Sequence, residues 1–182
     1  MYRRTFLKAG VAGFGSLLLM PSCLNGSRSS WLFFTEAEAA CVIALAEQII
    51  PADEHGGGAT EAGVIHYIDR QLVAVFDYDQ VIYQQGISAL EQSCLELHSL
   101  RFEGLDRDVQ FTICAAMEEG GLPEEFWGDL KQEQFFNLVL SHTMQGFYGP
   151  PRHGGNKDYM SYNMMGLDFP LVVGRNHYEH LS

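Results

Sequence analysis

From Thr35 to Tyr148 the apolar residues return at spacings of three and four, and few runs read as strands. The only strand candidate is FPLVV, residues 169–173. This period restricts the chain to helices packed on helices. Thr35 followed by Glu38 forms a capping box, in which each side chain can satisfy a backbone N–H at a helix start. The helix it opens runs to Ile50 and is stopped by Pro51. Between Ala39 and Ala46 that helix is apolar on every side, so it is either central or faces a partner. A second helix is predicted over residues 61–76, with Val64, Ile68, Leu72 and Val75 along one stripe. Asp79 is placed to cap a third, through Leu97, whose Tyr83, Ile87, Leu90, Cys94 and Leu97 make a narrow seam. Asp106 is placed to cap a fourth, with Val109, Ile113 and Met117 inward and Gly120 and Gly121 at its end. Pro123 suits a first turn. A longer fifth helix comes next, KQEQFFNLVLSHTMQGFYG, with Phe135, Phe136, Leu138 and Val139 near its start. Gly149, Pro150 and Pro151 break it. The expected fold is all-α: a single helical domain of about five helices with an irregular, glycine- and aromatic-rich C-terminal tail.

The first residues belong to a different physical problem. Arg3 and Arg4 are followed by Phe6, Leu7 and Lys8, then by a weakly apolar stretch from Ala9 to Met20. About a dozen residues are too few for a hydrocarbon core that needs ~20. A basic segment followed by a short apolar one is an export signal, and this one resembles the twin-arginine type, an address read by a receptor. The segment ends MPSC, which makes Cys23 a candidate for lipidation; one acyl chain anchors weakly without a second signal. The expected organisation is a signal over residues 1–23, a tether over 24–33, the helical domain over 34–149 and the tail over 150–182. The expected location is the periplasm, with Cys23 the candidate membrane anchor.

Charge narrows the partners. The chain has 23 acids and 11 Lys or Arg, for a net −12. Three of those bases lie in the first eight residues, so the chain beyond the signal is more acidic still. Such a surface repels the phosphates of nucleic acid and of anionic lipid heads. It suits a partner that presents a basic face. Apart from Cys23 the cysteines are Cys41, Cys94 and Cys114. At most one bridge can form among them, and three buried thiols on helix faces are the plainer reading.

Catalytic patterns are sparse. Gly56, Gly57 and Gly58 lack the spacing and the preceding strand of a phosphate-binding loop. His55 and His66, like His142 and His153, are eleven residues apart, which no helical metal motif uses. His142, late in a long helix, is placed to be favoured by the helix dipole. The pairs Asp77 and Asp79, Glu118 and Glu119, and Glu124 and Glu125 read as solvated faces. Ser141 and His142 diverge on a helix and form no triad. No catalytic, cofactor or metal residue is assigned from these patterns.

Three stretches carry a family resemblance: FFTEAEAACVIALAEQIIPAD, GATEAGVIHYIDRQL and FFNLVLSHTMQGFYGPPRHGGNKD. Together they make the chain similar to the gluconate 2-dehydrogenase subunit 3 family, the small subunit of membrane-bound, flavin-dependent sugar and sugar-acid dehydrogenases. The resemblance departs after GGNKD. There the family runs through a tryptophan to a Gly-Tyr-Pro-Gly-like ending, and this chain reads YMSYNMMGLDFP. It implies a non-catalytic accessory subunit that holds no cofactor. The FAD would sit in a large flavoprotein dehydrogenase subunit, with a cytochrome c subunit as a further partner and the twin-arginine translocase as the export route. Phe147, Tyr148, Pro150, Gly154, Gly155, Asn156 and Tyr159 are the expected partner-interface residues. An orphan exported lipoprotein binding another envelope protein, and a stand-alone helical metal protein, are the alternatives.

Overall fold

The structure is a computed structural model that describes residues 30–167. Its helices are α1 (Glu36–Ile49), α2 (Val64–Leu72), α3 (Gln80–His98), α4 (Arg107–Glu118), α5 (Gln132–Tyr148) and a short α6 (Met160–Met164). Single 3-10 turns fill several connections, and no strand occurs among the described residues. The export-signal residues Arg3, Arg4, Phe6, Leu7 and Lys8, the lipidation candidate Cys23 and the strand candidate at 169–173 lie outside the described residues.

Local signals set α1. Thr35 Oγ1 accepts from the Glu38 N–H at 3.2 Å, and Glu38 Oε2 accepts from the Thr35 N–H at 2.8 Å. The helix ends where the Ile50 N–H reaches the Ala46 carbonyl, one residue before Pro51. Its all-round apolar face makes it central: Ala39, Cys41, Val42, Leu45 and Ala46 are buried, and it packs on α2, α3, α4 and α5. Tyr83, Phe34, Phe102, Phe135 and Phe147 are the largest fully buried side chains.

The second helix is shorter than its pattern suggests. Val64, Ile68 and Leu72 are buried as expected, but Val75 is exposed because α2 stops at Leu72. The Gln80 side chain takes the Leu72 carbonyl at 2.7 Å, and the Phe76 N–H turns back to Gln71 at 2.8 Å. Those bonds close the C-terminus before the fourth apolar position is reached. In α3 the seam holds for Tyr83, Ile87, Leu90 and Cys94, while Leu97 is exposed. Asp79 and Asp106 occupy N-cap positions, but neither side chain makes a capping bond.

Past Pro150 the chain is not wholly irregular. Turns over Pro151–His153 and Lys157–Tyr159 lead into α6, which packs on α5. Met160 and Met164 of α6 stand over the Gly57 and Gly56 backbone. The three-glycine loop thus serves as a platform for a helix.

Candidate functional site

Three polar constructions organise the molecule. The first is Asp69, on the buried side of α2. Its Oδ2 accepts the Leu32 N–H at 2.7 Å, and its Oδ1 accepts the Phe33 and Phe34 N–H groups at 2.9 and 3.2 Å. One carboxylate therefore holds the bent backbone that enters α1. Trp31 extends the clamp by stacking on His66 of α2 at 5.1 Å. Sequence reasoning missed Asp69. The available signal was an acid beside the apolar stripe, four residues after Ile65 and one after Ile68.

The second construction joins α3 and α5. His142 Nδ1 lies 3.1 Å from the Tyr83 hydroxyl, and its Nε2 lies 3.6 Å from Asp79 Oδ2. With the imidazole neutral, the Tyr83 O–H donates to Nδ1 and Nε2–H points at the carboxylate. Phe76 stacks on the imidazole at 4.5 Å, nearly parallel. Burial pushes the His142 pKa down to about 4 and the Asp79 pKa up. Burial, then the nearby Asp79 charge, also raises Tyr83. Two expectations are corrected here. Asp79 does not belong to a solvated face, because its side chain turns in toward His142 while Asp77 stays exposed. Nor does the helix dipole keep His142 charged, because it faces inward from α5 and burial pushes its pKa down to about 4. The helical period already set Ser141 outward and His142 inward.

The third construction is the closure after α5. Asn156, fully buried, donates from Nδ2 to the Gly149 carbonyl at 2.9 Å, and its Oδ1 accepts the Ser161 N–H at 2.9 Å. The Lys157 N–H reaches the Ala62 carbonyl at 2.9 Å. A Cβ at Gly155 would overlap the Gly146 carbonyl oxygen, and Gly154 takes φ +113°. Of the expected interface residues, Phe147, Gly155 and Asn156 are thus turned into the chain's own interior. Tyr148 and Pro150 face solvent, and Gly154 and Tyr159 are half-buried. Beside them Tyr67, Gln71, Met144, Tyr148, Pro150 and His153 line an open groove of about 420 Å³ between α2 and α5.

Other titratable groups fit structural roles. Cys41, Cys94 and Cys114 are free and buried, and burial pushes the last two up to about 12. Burial also raises the Glu91 carboxyl, with neighbouring Glu103 raising it further. Glu118, Glu119, Glu124 and Glu125 are exposed. Among the described residues no group of three His, Cys, Asp or Glu side chains could hold a metal ion. His55 is exposed beside Glu54, and His153 is exposed on the groove rim. No described helix is long and apolar enough to cross a membrane.

The described residues thus form a small all-α domain whose buried polar groups clasp its own backbone and helices and which keeps an open groove beside α5. The chain belongs to the gluconate 2-dehydrogenase subunit 3 family, whose model matches residues 36–168. That match runs from the first residue of α1 to the residue after Leu167. No curated protein and no solved structure matches the chain.

Proposed function

We propose that this protein is the non-catalytic small subunit of a periplasmic, membrane-attached dehydrogenase complex. In this reading the FAD-bearing large subunit oxidises a sugar, polyol or sugar acid, and a cytochrome c subunit takes the electrons. The small chain stabilises the flavoprotein and accompanies it through the twin-arginine translocase, addressed by Arg3, Arg4, Phe6, Leu7 and Lys8. Cys23 is the proposed lipid anchor. The observation that carries the reading is the family match across the entire helical domain. In this reading the buried Tyr83, His142 and Asp79 serve to tie α3 and its start to α5.

The test is affinity purification at native level from the host, followed by mass spectrometry and a visible spectrum. A stoichiometric large partner with flavin absorbance is the expected result. A lone colourless chain, purified under conditions that preserve membrane complexes, would refute the proposal and leave the orphan lipoprotein in its place.

A further inference from the structure

The early stop of α2 has a consequence at the surface. Had the helix continued, Val75 would have fallen on the buried stripe. Instead the connection to α3 and the first turn of α3 present Val73, Val75, Tyr78 and Val81 to solvent, at 45, 63, 69 and 57% exposure. No other stretch of nine described residues exposes four large apolar side chains. The strip abuts α5, because Phe76 within it stacks on His142. Two residues further along α5 is Met144, and a turn beyond that is Tyr148, 42 and 43% exposed. Both line the groove, as does Gln71, two residues before Val73. The groove thus reaches the C-terminal end of α2, two residues before the strip begins at Val73.

Charge decides what can cover it. From Val73 to Val81 there is no Lys or Arg, and of its two acids Asp79 is buried. A bilayer surface with anionic heads is held by clustered bases, which this strip lacks. A second copy would bring together two chains of net −12, whose like charges oppose association. A different protein with an apolar centre and a basic rim meets neither objection. The other exposed leucines, Leu95, Leu97 and Leu100, are interrupted by Glu96 and flanked by Arg101. Aromatic and apolar anchors within a polar rim are the usual composition of a protein interface.

We propose that Val73, Val75, Tyr78 and Val81, with Met144 and Tyr148, form the docking face for the partner dehydrogenase subunit, whose matching surface is apolar and basic-rimmed. This rests on the accessory-subunit reading. Of the expected interface residues it keeps Tyr148, and it extends the interface to the connection between α2 and α3 and the first turn of α3.

The experiment compares the wild-type chain, V75D/Y78D and, as a control on α4, F111D, each expressed in the host and checked for an unchanged thermal melt. The wild type and F111D are expected to bring down the flavoprotein equally, with V75D/Y78D reduced at least about 30-fold, the size of one interface hot spot. Oxidative footprinting is expected to label Tyr78, Met144 and Tyr148 in the isolated chain and to spare them in the complex. Undiminished capture by a folded V75D/Y78D would overturn the surface assignment and leave the accessory function standing. Failure of the wild type to capture any flavoprotein would refute the function itself. Protection in the isolated chain would also overturn the assignment. A dimer on sizing would then name a second copy as the occupant, loss of protection on removing residues 168–182 would name the chain's own C-terminus, and flotation with anionic vesicles would name a membrane.

Discussion

Replacing Asp69 by Asn tests how the domain closes its N-terminal edge. The substitution keeps size and shape but leaves one oxygen where two accepted three backbone N–H groups at 2.7, 2.9 and 3.2 Å. If the amide oxygen serves Phe33 and Phe34, the NH₂ faces the Leu32 N–H, donor against donor. A hydrogen bond to a charged acceptor is worth ~1.5–3 kcal/mol, and an unsatisfied buried donor costs ~1–3 kcal/mol. Leu32 lies at the surface, so water recovers part of its loss. The expected net cost is about 2–3 kcal/mol. A domain of this size loses ~2–4 °C of Tm per kcal/mol, which predicts a drop of about 4–12 °C. Urea unfolding measures the energy. Acrylamide quenching of Trp31, in a Trp127→Phe background, reads the local event, because Trp31 leaves its stack on His66 when residues 30–35 detach. An unchanged urea midpoint with Trp31 still shielded would show that the clamp contributes nothing and that α1 is held by its apolar contacts alone.

The other two constructions give further expected outcomes. The unfolded His142 takes its proton near pH 6.5 and the folded one near 4, because burial lowers it. Stability should therefore be complete above pH 6.5 and fall toward pH 4, by up to ~1.4 kcal/mol per pH unit. Buried Asp79, raised above its ordinary value, works in the opposite sense at the acid end. His142→Gln should flatten the decline in urea midpoints between about pH 7 and 4.5, and an identical profile would remove His142 as its source. At the closure, Gly155→Ala forces a methyl onto the Gly146 carbonyl and should cost about 1–3 kcal/mol in urea unfolding. Gly104→Ala, with open space around it, should cost far less, and equal costs would contradict the close approach.

The family also shows how a fold can be legible while its surface is not. The resemblance rests on motifs such as the Gly-Gly-Asn turn, and it assigns those residues to a partner. In the structure they fasten α5 and α6 to the loop before α2. Close backbone packing at Gly155 and the positive φ of Gly154 restrict residue type by themselves.

What the sequence determined by itself is what neighbouring residues decide. The Thr35–Glu38 box, the stop at Pro51, the break at Gly149–Pro151 and the seam of α3 are bonds and steric limits within a few residues, readable from type and spacing. What only the tertiary structure decided joins distant residues: Asp69 to backbone 35–37 residues earlier, His142 to Tyr83 across 59 residues, Gly155 against Gly146. The same holds for Val75, whose exposure results from a glutamine eight residues past Leu72 closing α2 early. A side chain's type states what it can bond to, but which partner lies within reach is set by how the helices pack.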